Sequence, residues 1–198
     1  MKQTALITGA SRGIGAALAE TFARAGYQLT LCCQHSEEKL MTLSKRLQEQ
    51  YHTTVLVRIG DVGDYAFVKT MVDATLEAFG AIDVLINNAG ISYIGLLTDM
   101  SIEDWNRIVA TNLTSVFSTC RCVVPSMVHN KRGRIINISS VWGNVGASCE
   151  VAYSACKGGI NSFTRALGKE LAPSQITVNA IACGVIDTDM NRCFSEEE

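Results

Sequence analysis

Residues 4–15 read TALITGASRGIG, and this stretch decides the fold. The run at residues 4–8 is largely apolar and ends at a glycine, which predicts a short buried strand. Gly9, Gly13 and Gly15 follow it, and glycines let the backbone turn tightly and come close to a diphosphate. A tight turn alone could require the same glycines, but their position directly after the first strand favours a dinucleotide-binding loop.

Strand and helix patterns alternate along the rest of the chain. Apolar runs predict further strands at residues 28–33, 53–59, 82–87, 134–138 and 176–181. Helical patterns predict helices at residues 13–25, 36–50, 64–79, 112–129 and 151–171, and a short helix capped by Ser101. The strands are continuously apolar, so both faces of the sheet should be covered. Right-handed crossovers then give an α/β fold, a Rossmann-like doubly wound parallel sheet, as one domain over residues 1–198.

Polar residues and glycines gather at one edge of this predicted sheet. In open parallel sheets, ligands bind beyond the carboxyl ends of the strands. Five positions lie at or just past such ends: Gly9, Asp61, Asn88, Ser140 and Gly184. Their common location predicts a single site along that edge.

Composition excludes several classes of partner. Apolar residues make up 47% of the chain and charged residues 18%, with a formal net charge of -2, which argues against an electrostatic nucleic-acid binder. The first apolar run is too short for a signal peptide or a membrane span, so we expect a cytoplasmic protein without a membrane partner. The eight cysteines form no C-x-x-C pair and the three histidines are dispersed, so no metal site is expected. The cysteines are interpreted as small buried hydrophobic residues.

Tyr153 and Lys157 carry the chemistry that the sequence indicates. They stand four residues apart in a predicted helix, so their side chains should share one face. An unperturbed phenol has a pKa near ~10, and a neighbouring ammonium should lower that pKa and make Tyr153 a usable general acid. A surface pair of this kind is common, but Ser140, at a strand end upstream, supplies a third group for a site.

With these residues the chain resembles the short-chain dehydrogenases/reductases. The resemblance covers essentially the whole chain and is carried by the Gly-x-x-x-Gly-x-Gly spacing, the segment Asn87-Asn88-Ala89-Gly90, Asn112, Ser140 and Tyr153-x-x-x-Lys157. Within that family the sequence is most similar to the 3-oxoacyl-acyl-carrier-protein reductases. The resemblance implies reduction of a ketone to a secondary alcohol, with a 3-oxoacyl thioester on acyl carrier protein as the first expected substrate.

Two alternatives stay open at this point. The substrate could be another ketone, including one carried by a protein side chain, such as that on modified translation elongation factor P. The chain could also be a catalytically silent nucleotide-binding module. The resemblance further implies a homo-oligomer, a dimer or tetramer, built through the helices around residues 112–129 and 151–171.

The resemblance also assigns roles to individual residues. Tyr153 would donate the proton, Ser140 would hydrogen-bond the carbonyl oxygen, Lys157 would hold the nicotinamide ribose, and the backbone carbonyl of Asn112 would hold a water that links Lys157 to solvent. The implied cofactor-binding residues are Gly9, Ser11, Arg12, Gly13, Ile14, Gly15, Asp61, Val62, Asn88, Ala89, Gly90, Tyr153, Lys157, Ile186 and Thr188. Without the family, Asp61 could be an ordinary helix cap and Asn112 a polar residue at a helix start.

Charge favours NADP(H) over NAD(H). Enzymes that use NAD place an acidic residue at the end of the second strand to hold the ribose 2′-hydroxyl. Here residues 31–36 read LCCQHS, and the first carboxylate is Glu37. Arg12 is placed to pair with a 2′-phosphate, although it could equally be a solvated residue at the helix start.

The sequence departs from the family in three places. Cys183-Gly184 stands where Pro-Gly is usual, which restores a backbone N–H. Carrier-protein reductases present basic residues near the active-site entrance; Lys131 and Arg132 could serve, but residues 173–175 are neutral. Family members continue past Thr188 into a substrate-covering helix and a seventh strand, so that C-terminal lid and strand are expected to be missing here.

Overall fold

Six parallel strands form the centre of the computed structural model, which describes residues 2–189. The strands are β1 Thr4–Ile7, β2 Gln28–Cys33, β3 Val55–Ile59, β4 Val84–Asn87, β5 Gly133–Ser140 and β6 Ile176–Cys183. Their spatial order is β3-β2-β1-β4-β5-β6, and each neighbouring pair is parallel. The Rossmann-like sheet predicted from the sequence is therefore confirmed. The predicted absence of a lid and a seventh strand concerns residues outside the described range.

Helices lie on both faces of the sheet. They are α1 Gly13–Arg24, α2 Glu37–Tyr51, α3 Tyr65–Phe79, α4 Ile102–Val109, α5 Ser115–His129, α6 Trp142–Val145 and α7 Val151–Leu171. Short 3₁₀ turns occur at Leu97–Asp99 and Ala172–Ser174. The sequence did not predict α6, because a helix of four residues is too short to show a periodic pattern.

The core is divided into two parts by the sheet. Leu6 of β1 packs into one cluster, with Met71 of α3 and Val123 of α5. Its neighbour Ile7 packs into the other cluster, with Leu40 of α2. Successive strand residues point to opposite faces. Since helices cover both faces, all four residues of β1 are buried, which explains why its sequence is continuously apolar.

A chain of buried polar side chains crosses the middle of the sheet. The Asn87 Nδ2 donates to Asn137 Oδ1 at 2.9 Å, and the Asn87 Oδ1 accepts from Thr119 Oγ1 at 2.7 Å. The Asn137 Nδ2 donates in turn to Thr164 Oγ1 at 2.9 Å. Each of these four side chains is buried. These four polar residues therefore link α5, β4, β5 and α7 through buried hydrogen bonds.

The predicted start of a helix at Asn112 is wrong. Instead α4 and α5 are joined by a π-helical turn, Ala110–Thr114, so Asn112 lies in the middle of a continuous helical segment. The Ser115 N–H reaches back five residues to the Ala110 carbonyl, and the Ser115 hydroxyl donates to the Thr111 carbonyl. One extra residue in a helix does not change its apolar pattern enough to be read from sequence, and π turns occur frequently at functional sites.

The topology places the predicted site between β1 and β4. The chain leaves these adjacent strands in opposite directions along the sheet, which opens a crevice beyond their carboxyl ends. Gly9 and Asn88 follow these two strands directly.

We predict that Asn137→Ala lowers the free energy of unfolding by about 2–4 kcal/mol, because it removes the oxygen acceptor of the buried Asn87 Nδ2 and the amide donor to the buried Thr164 Oγ1. Urea unfolding followed by circular dichroism would measure this. Asn106→Ala, at an exposed position of α4, is the control and should change stability by less than about 0.5 kcal/mol. Equal stability of the two variants would contradict the role of the buried chain.

Candidate active site

The glycine loop is packed against the segment that follows β4. Gly9 has a φ of 64°, in the left-handed region, and a Cβ at this position would lie 2.8 Å from the Ala89 Cα. A Cβ at Gly15 would collide with the carbonyl oxygen of Gly9. The loop shape therefore requires glycine at both positions.

Asn88 and Thr8 hold this loop in place. The Asn88 Nδ2 donates to the carbonyl oxygens of Thr8 and Gly9, at 2.9 and 3.0 Å. The Thr8 Oγ1 accepts from the backbone N–H groups of Asn88 and Ala89, both at 3.0 Å. The Asn88 amide is thus committed to the loop itself. The sequence analysis did not identify Thr8 as a site residue, although a hydroxyl directly before the glycine loop was a signal for this role.

These features fit the diphosphate of a dinucleotide. The loop forms a cradle that any side chain at Gly9 or Gly15 would fill. Arg12, the N-cap of α1, makes no side-chain hydrogen bond to the first turn, so the helix N-terminus keeps N–H groups that can face an anion. Thr188 lies beside the loop, because a Cβ at Gly13 would be 3.3 Å from the Thr188 Cγ2. Ser11 and Ile14 lie in the same loop and first turn.

Arg12 lies above the end of β2. Its Nη1 is 3.5 Å from the Ser36 Oγ, and its Nε forms an ion pair with Asp189 at 3.7 Å. The side chain is 57% exposed, so it is solvated and also adjacent to the second strand. The nearest carboxylate in sequence, Glu37, begins α2 and does not occupy the strand end.

Asp61, which follows β3, is not the N-cap of the next helix. The cap of α3 is Asp64, whose side chain accepts from the Ala66 N–H at 2.9 Å. Asp61 instead accepts from the Gly63 N–H at 2.7 Å and shapes the turn that leads into α3. The Val62 side chain is buried in the core, so a contact with adenine would have to come from its backbone. Adenine contacts by Asp61 and Val62 stay predictions.

Ser140, Tyr153 and Lys157 come together at the carboxyl end of β5. The Ser140 hydroxyl lies close enough to the Tyr153 phenol to act on its pKa, and it accepts from the Trp142 N–H at 3.2 Å. The Lys157 Nζ lies over the Tyr153 ring, 5.3 Å from its centroid. Ser139 points elsewhere, since its hydroxyl donates to the Lys157 carbonyl oxygen at 3.3 Å. The structure therefore selects Ser140 over Ser139 as the hydroxyl that faces Tyr153.

The net shift of the Tyr153 pKa is upward in this arrangement, whereas the sequence predicted a lowering by Lys157. Burial raises the pKa of Tyr153, with a smaller contribution from the Glu150 charge, and the hydrogen bond from Ser140 opposes the rise. The Lys157 Nζ donates to the Ile138 carbonyl oxygen at 2.7 Å, and burial lowers the pKa of Lys157 to about 8. The spacing of the two residues gave their common face but not the direction of the ammonium.

Asn112 fixes the segment beside Lys157. Its side chain is fully buried and forms two hydrogen bonds of 2.8 Å with the Ile91 backbone, accepting from the N–H and donating to the carbonyl. Gly90 lies between the Asn112 side chain and the Lys157 ammonium. A Cβ at Gly90 would be 3.2 Å from the Asn112 Oδ1 and 3.8 Å from the Lys157 Nζ. The proposed water on the Asn112 carbonyl stays a prediction.

The sequence analysis also missed Gly143, which lets α6 approach α7. A Cβ at Gly143 would lie 2.6 Å from the Lys157 carbonyl carbon. This close approach packs α6 against the backbone of the helix that carries Tyr153 and Lys157. Neither residue type nor spacing around Gly143 signalled this contact.

The expectation that Lys131 and Arg132 border the active-site entrance is wrong for this chain. Both lie between α5 and β5, before the strand begins, whereas Ser140 ends that strand at the opposite edge of the sheet. Arg132 is also paired with Asp83, whose Oδ1 lies 2.6 Å from its Nη2. Residues 173–175 precede β6 and lie at the same distant edge. Their place before a predicted strand was a signal for this, because segments that precede a strand of a parallel sheet lie at the edge opposite to those that follow it.

The entrance is instead apolar and acidic. Exposed apolar side chains follow β4, β5 and β6 or begin α7: Ile94, Leu96, Leu97, Val145, Val151, Val185 and Ile186. Residues 88–101, 141–152 and 184–189, which form these segments, contain no lysine, arginine or histidine. Four carboxylates occur in the same segments: Asp99, Glu150, Asp187 and Asp189.

Comparison with known proteins places this architecture in a family. The family model described as short chain dehydrogenase matches residues 3–198. The chain belongs to the short-chain dehydrogenase family. It is therefore an oxidoreductase whose crevice, glycine loop and Ser140–Tyr153–Lys157 group occupy one edge of the sheet.

Relatives of this short-chain dehydrogenase include both reductases and proteins without an assigned substrate. It is 40% identical over 194 residues to the 3-oxoacyl-[acyl-carrier-protein] reductase FabG of Escherichia coli, covering 98% of this chain and 78% of FabG. It is 37% identical over 198 residues to the uncharacterized oxidoreductase YmfI of Bacillus subtilis, covering 100% of this chain and 81% of YmfI.

Solved structures of short-chain dehydrogenases have the same fold. A putative short-chain alcohol dehydrogenase from Sinorhizobium meliloti superposes with a TM-score of 0.93 at 32% identity, covering 100% of this chain and 78% of that one. A metagenomic short-chain oxidoreductase in complex with NADP superposes with a TM-score of 0.88 at 33% identity, covering 92% and 82%.

The cysteines differ in burial. Four of the cysteines in residues 2–189 are buried, but Cys122, Cys149 and Cys183 are only partly so, which corrects the interpretation of all of them as buried residues. Cys193 lies outside the described residues. Within the described range, no helix combines the length and apolar character needed to cross a membrane.

We predict that stability depends on pH through Lys157. Its lowered pKa means that the folded state carries an unfavourable buried charge below about pH 8, and this cost disappears as the pH rises towards 10.5. Relative to Lys157→Met, the wild-type free energy of unfolding should therefore rise by about 3 kcal/mol over this window, at about 1.4 kcal/mol per pKa unit. Urea unfolding between pH 7 and 10.5 measures it.

Lys169→Met, which removes an exposed lysine from the same helix, is the control for loss of a positive charge. A difference between wild type and Lys157→Met that stays constant over this pH range would contradict the buried-charge argument.

Proposed function

We propose that this chain reduces a ketone to a secondary alcohol with NADPH. The observation that carries the proposal is the convergence of Ser140, Tyr153 and Lys157 beside the glycine loop. A phenol, a hydroxyl and an ammonium at the mouth of a dinucleotide crevice are the groups that carbonyl reduction needs. A catalytically silent module has no use for this set, which argues against that alternative.

A bound nicotinamide would supply a hydride to the carbonyl carbon of the substrate. Ser140, whose hydroxyl faces the Tyr153 phenol, would donate its hydroxyl hydrogen to the carbonyl oxygen. Tyr153 donates its proton to the alkoxide that develops on that oxygen. The raised pKa of Tyr153 keeps the phenol protonated at neutral pH, so the acid is available before each turnover.

Lys157 serves the phenolate that proton transfer leaves behind. Its ammonium lies against the Tyr153 ring and is held by the Ile138 carbonyl. With a pKa near 8, it is charged in most molecules at neutral pH and can stabilise the phenolate. Asn112 supports this arrangement by fixing the backbone at Ile91, whose neighbour Gly90 lies beside the ammonium.

NADP(H) is the preferred cofactor in this proposal. Arg12 and Ser36 lie together above the end of β2, where a 2′-phosphate would need a cation and a hydroxyl. The metagenomic relative in complex with NADP gives independent support.

The relatives and the residues at the entrance favour different substrates. The FabG relatives support a 3-oxoacyl thioester on acyl carrier protein as the first ketone to test. The position of Lys131 and Arg132, and the acidic, apolar entrance, favour a different ketone, such as one carried by a protein side chain. A homo-oligomer and a cytoplasmic location complete the proposal.

We predict that Ser140→Ala lowers kcat by about a hundredfold, because it removes a hydrogen-bond donor to the developing alkoxide. Ser139→Ala is the matched control and should keep most of the turnover, since that hydroxyl faces the α7 backbone.

Tyr153→Phe should bind NADPH normally and lose nearly all turnover. NADPH oxidation with acetoacetyl-CoA measures these rates, and near-normal turnover by Tyr153→Phe would refute the assigned acid.

We predict that Arg12→Ala raises the Kd for NADPH by about tenfold or more and leaves that for NADH unchanged, because only NADPH carries the 2′-phosphate. Fluorescence titration with both nucleotides measures the two constants. Arg24→Ala, at the exposed far end of α1, is the control. An equal loss of affinity for both nucleotides would rule out phosphate recognition by Arg12.

A further inference from the structure

Cys183 carries a thiol that the proposed reduction does not use. It is the last residue of β6, and its register partner in the neighbouring parallel strand is Ser140, the last residue of β5. Register partners on strands about 4.8 Å apart have their side chains on the same face of the sheet. The thiol therefore lies beside the hydroxyl that faces Tyr153.

The Lys157 ammonium is a second neighbour of this thiol. The Cys183 sulfur is close enough to act on the pKa values of both Lys157 and Tyr153. Lys157 is only 4% exposed, and within residues 2–189 its Nζ donates only to the Ile138 carbonyl oxygen. An ammonium has three N–H donors, so two are left for another group. A buried cation with unused donors favours a negative charge at this position, whatever residue lies next to it.

The thiol is accessible from the crevice. Cys183 is partly buried, whereas Cys156 on α7 is 1% exposed and closed off from solvent. A Cβ at Gly184 would meet no atom within 4 Å, so there is open space directly after the thiol. The segment that follows reaches the glycine loop, where a Cβ at Gly13 would lie 3.3 Å from the Thr188 Cγ2. The thiol is therefore at the β6 end of the space in which a nucleotide is expected to bind.

We propose that Cys183 is a covalent modification site for α,β-unsaturated ketones in the nucleotide-free protein. The ketone oxygen would lie at Ser140 and Tyr153, and the β-carbon, two bonds beyond the carbonyl carbon, would face the Cys183 sulfur. This inference goes beyond the proposed reduction, because capture needs neither hydride nor nucleotide, although both use the same carbonyl site. A bound nicotinamide would occupy the space in front of the thiol, so capture and nucleotide binding exclude each other.

The chemical step is a conjugate addition. The thiolate sulfur of Cys183 forms a bond to the β-carbon, and the electrons of the carbon–carbon double bond move to give an enolate with its charge on the ketone oxygen. Ser140 and the Lys157 ammonium are placed to stabilise that charge. The thiol proton ends on the α-carbon, so the product is a saturated ketone joined to the protein by a thioether. No oxidant, reductant or further reactant takes part.

A merely reactive thiol makes a different prediction, and Cys122 is the matched comparison. It is also partly buried, and it is close enough to Lys69 to act on the pKa of that lysine. It lies in the middle of α5, however, and not at the carboxyl end of a strand. If Cys183 had no ketone site beside it, all electrophiles would favour it over Cys122 to the same extent. A preference that depends on the ketone separates the two cases.

The test compares but-3-en-2-one with acrylonitrile, which has the same vinyl group but no ketone. Nucleotide-free protein is treated with each reagent, and mass spectrometry of its peptides gives the alkylation rates at Cys183 and Cys122. The ratio of these two rates should be about tenfold or more higher for the enone. In Ser140→Ala this preference should fall by about fivefold or more, because the enolate loses a hydrogen-bond donor. Ser139→Ala is the control and should keep the wild-type preference.

Protection by nucleotide tests the exclusion. NADP⁺ is used because it cannot reduce the enone, and at saturation it should slow alkylation of Cys183 about tenfold or more without affecting Cys122. Conversely, wild type treated with the enone should no longer bind NADPH in a fluorescence titration. Cys183→Ser treated in the same way should still bind NADPH, and Cys183→Ala serves if the serine variant fails to fold.

The outcomes separate this inference from the proposed function. Reduction of butan-2-one by NADPH, with no ketone-dependent preference for Cys183, would overturn the modification site alone. Preferential capture at Cys183 without reduction of any saturated ketone would support the site and overturn the proposed reduction. Equal alkylation of Cys183 with and without NADP⁺, in protein shown to bind NADP⁺, would overturn the exclusion.

Discussion

The hydrogen bond between the buried amides of Asn87 and Asn137 is the interaction on which the site depends. Asn87 also binds Thr119 of α5, and Asn137 binds Thr164 of α7, so the two strands and two helices are joined by one chain of polar groups. In a low-dielectric interior, each of these groups is costly unless its partner is in place. The chain therefore fixes the relative positions of the elements that carry the functional side chains.

The functional residues lie within a few positions of these four polar residues in the sequence. Asn88, next to Asn87, holds the glycine loop. Ser140 follows Asn137 by three residues in β5. Lys157 lies two helical turns before Thr164, and the π turn with Asn112 precedes Thr119. The buried charge of Lys157 lowers the stability of the folded state. The fold tolerates this cost because the hydrogen bonds of Asn87 and Asn137 hold the neighbouring strands and helices.

Most of the fold could be predicted because its signals are local. The six strands coincide with predominantly apolar runs, and Gly9 and Gly15 mark a turn that only glycine permits. The π turn around Asn112 could not be predicted, since one inserted residue leaves the apolar pattern almost unchanged. Ser139 and Ser140 are the same residue type in adjacent positions, and only the pleat decides which of them faces Tyr153. The direction of the Lys157 ammonium could not be predicted, because it depends on three-dimensional packing.

The clamp between Thr8 and Asn88 joins residues that are eighty positions apart in the sequence. During synthesis, β1, α1 and β2 emerge first and can pair with one another, but the glycine loop has no partner for its carbonyls until β4 has emerged. Contacts of such long sequence separation form late, because the intervening chain must first lose its freedom. The nucleotide crevice is therefore one of the last parts of the molecule to acquire its shape, although the loop that lines it is made first.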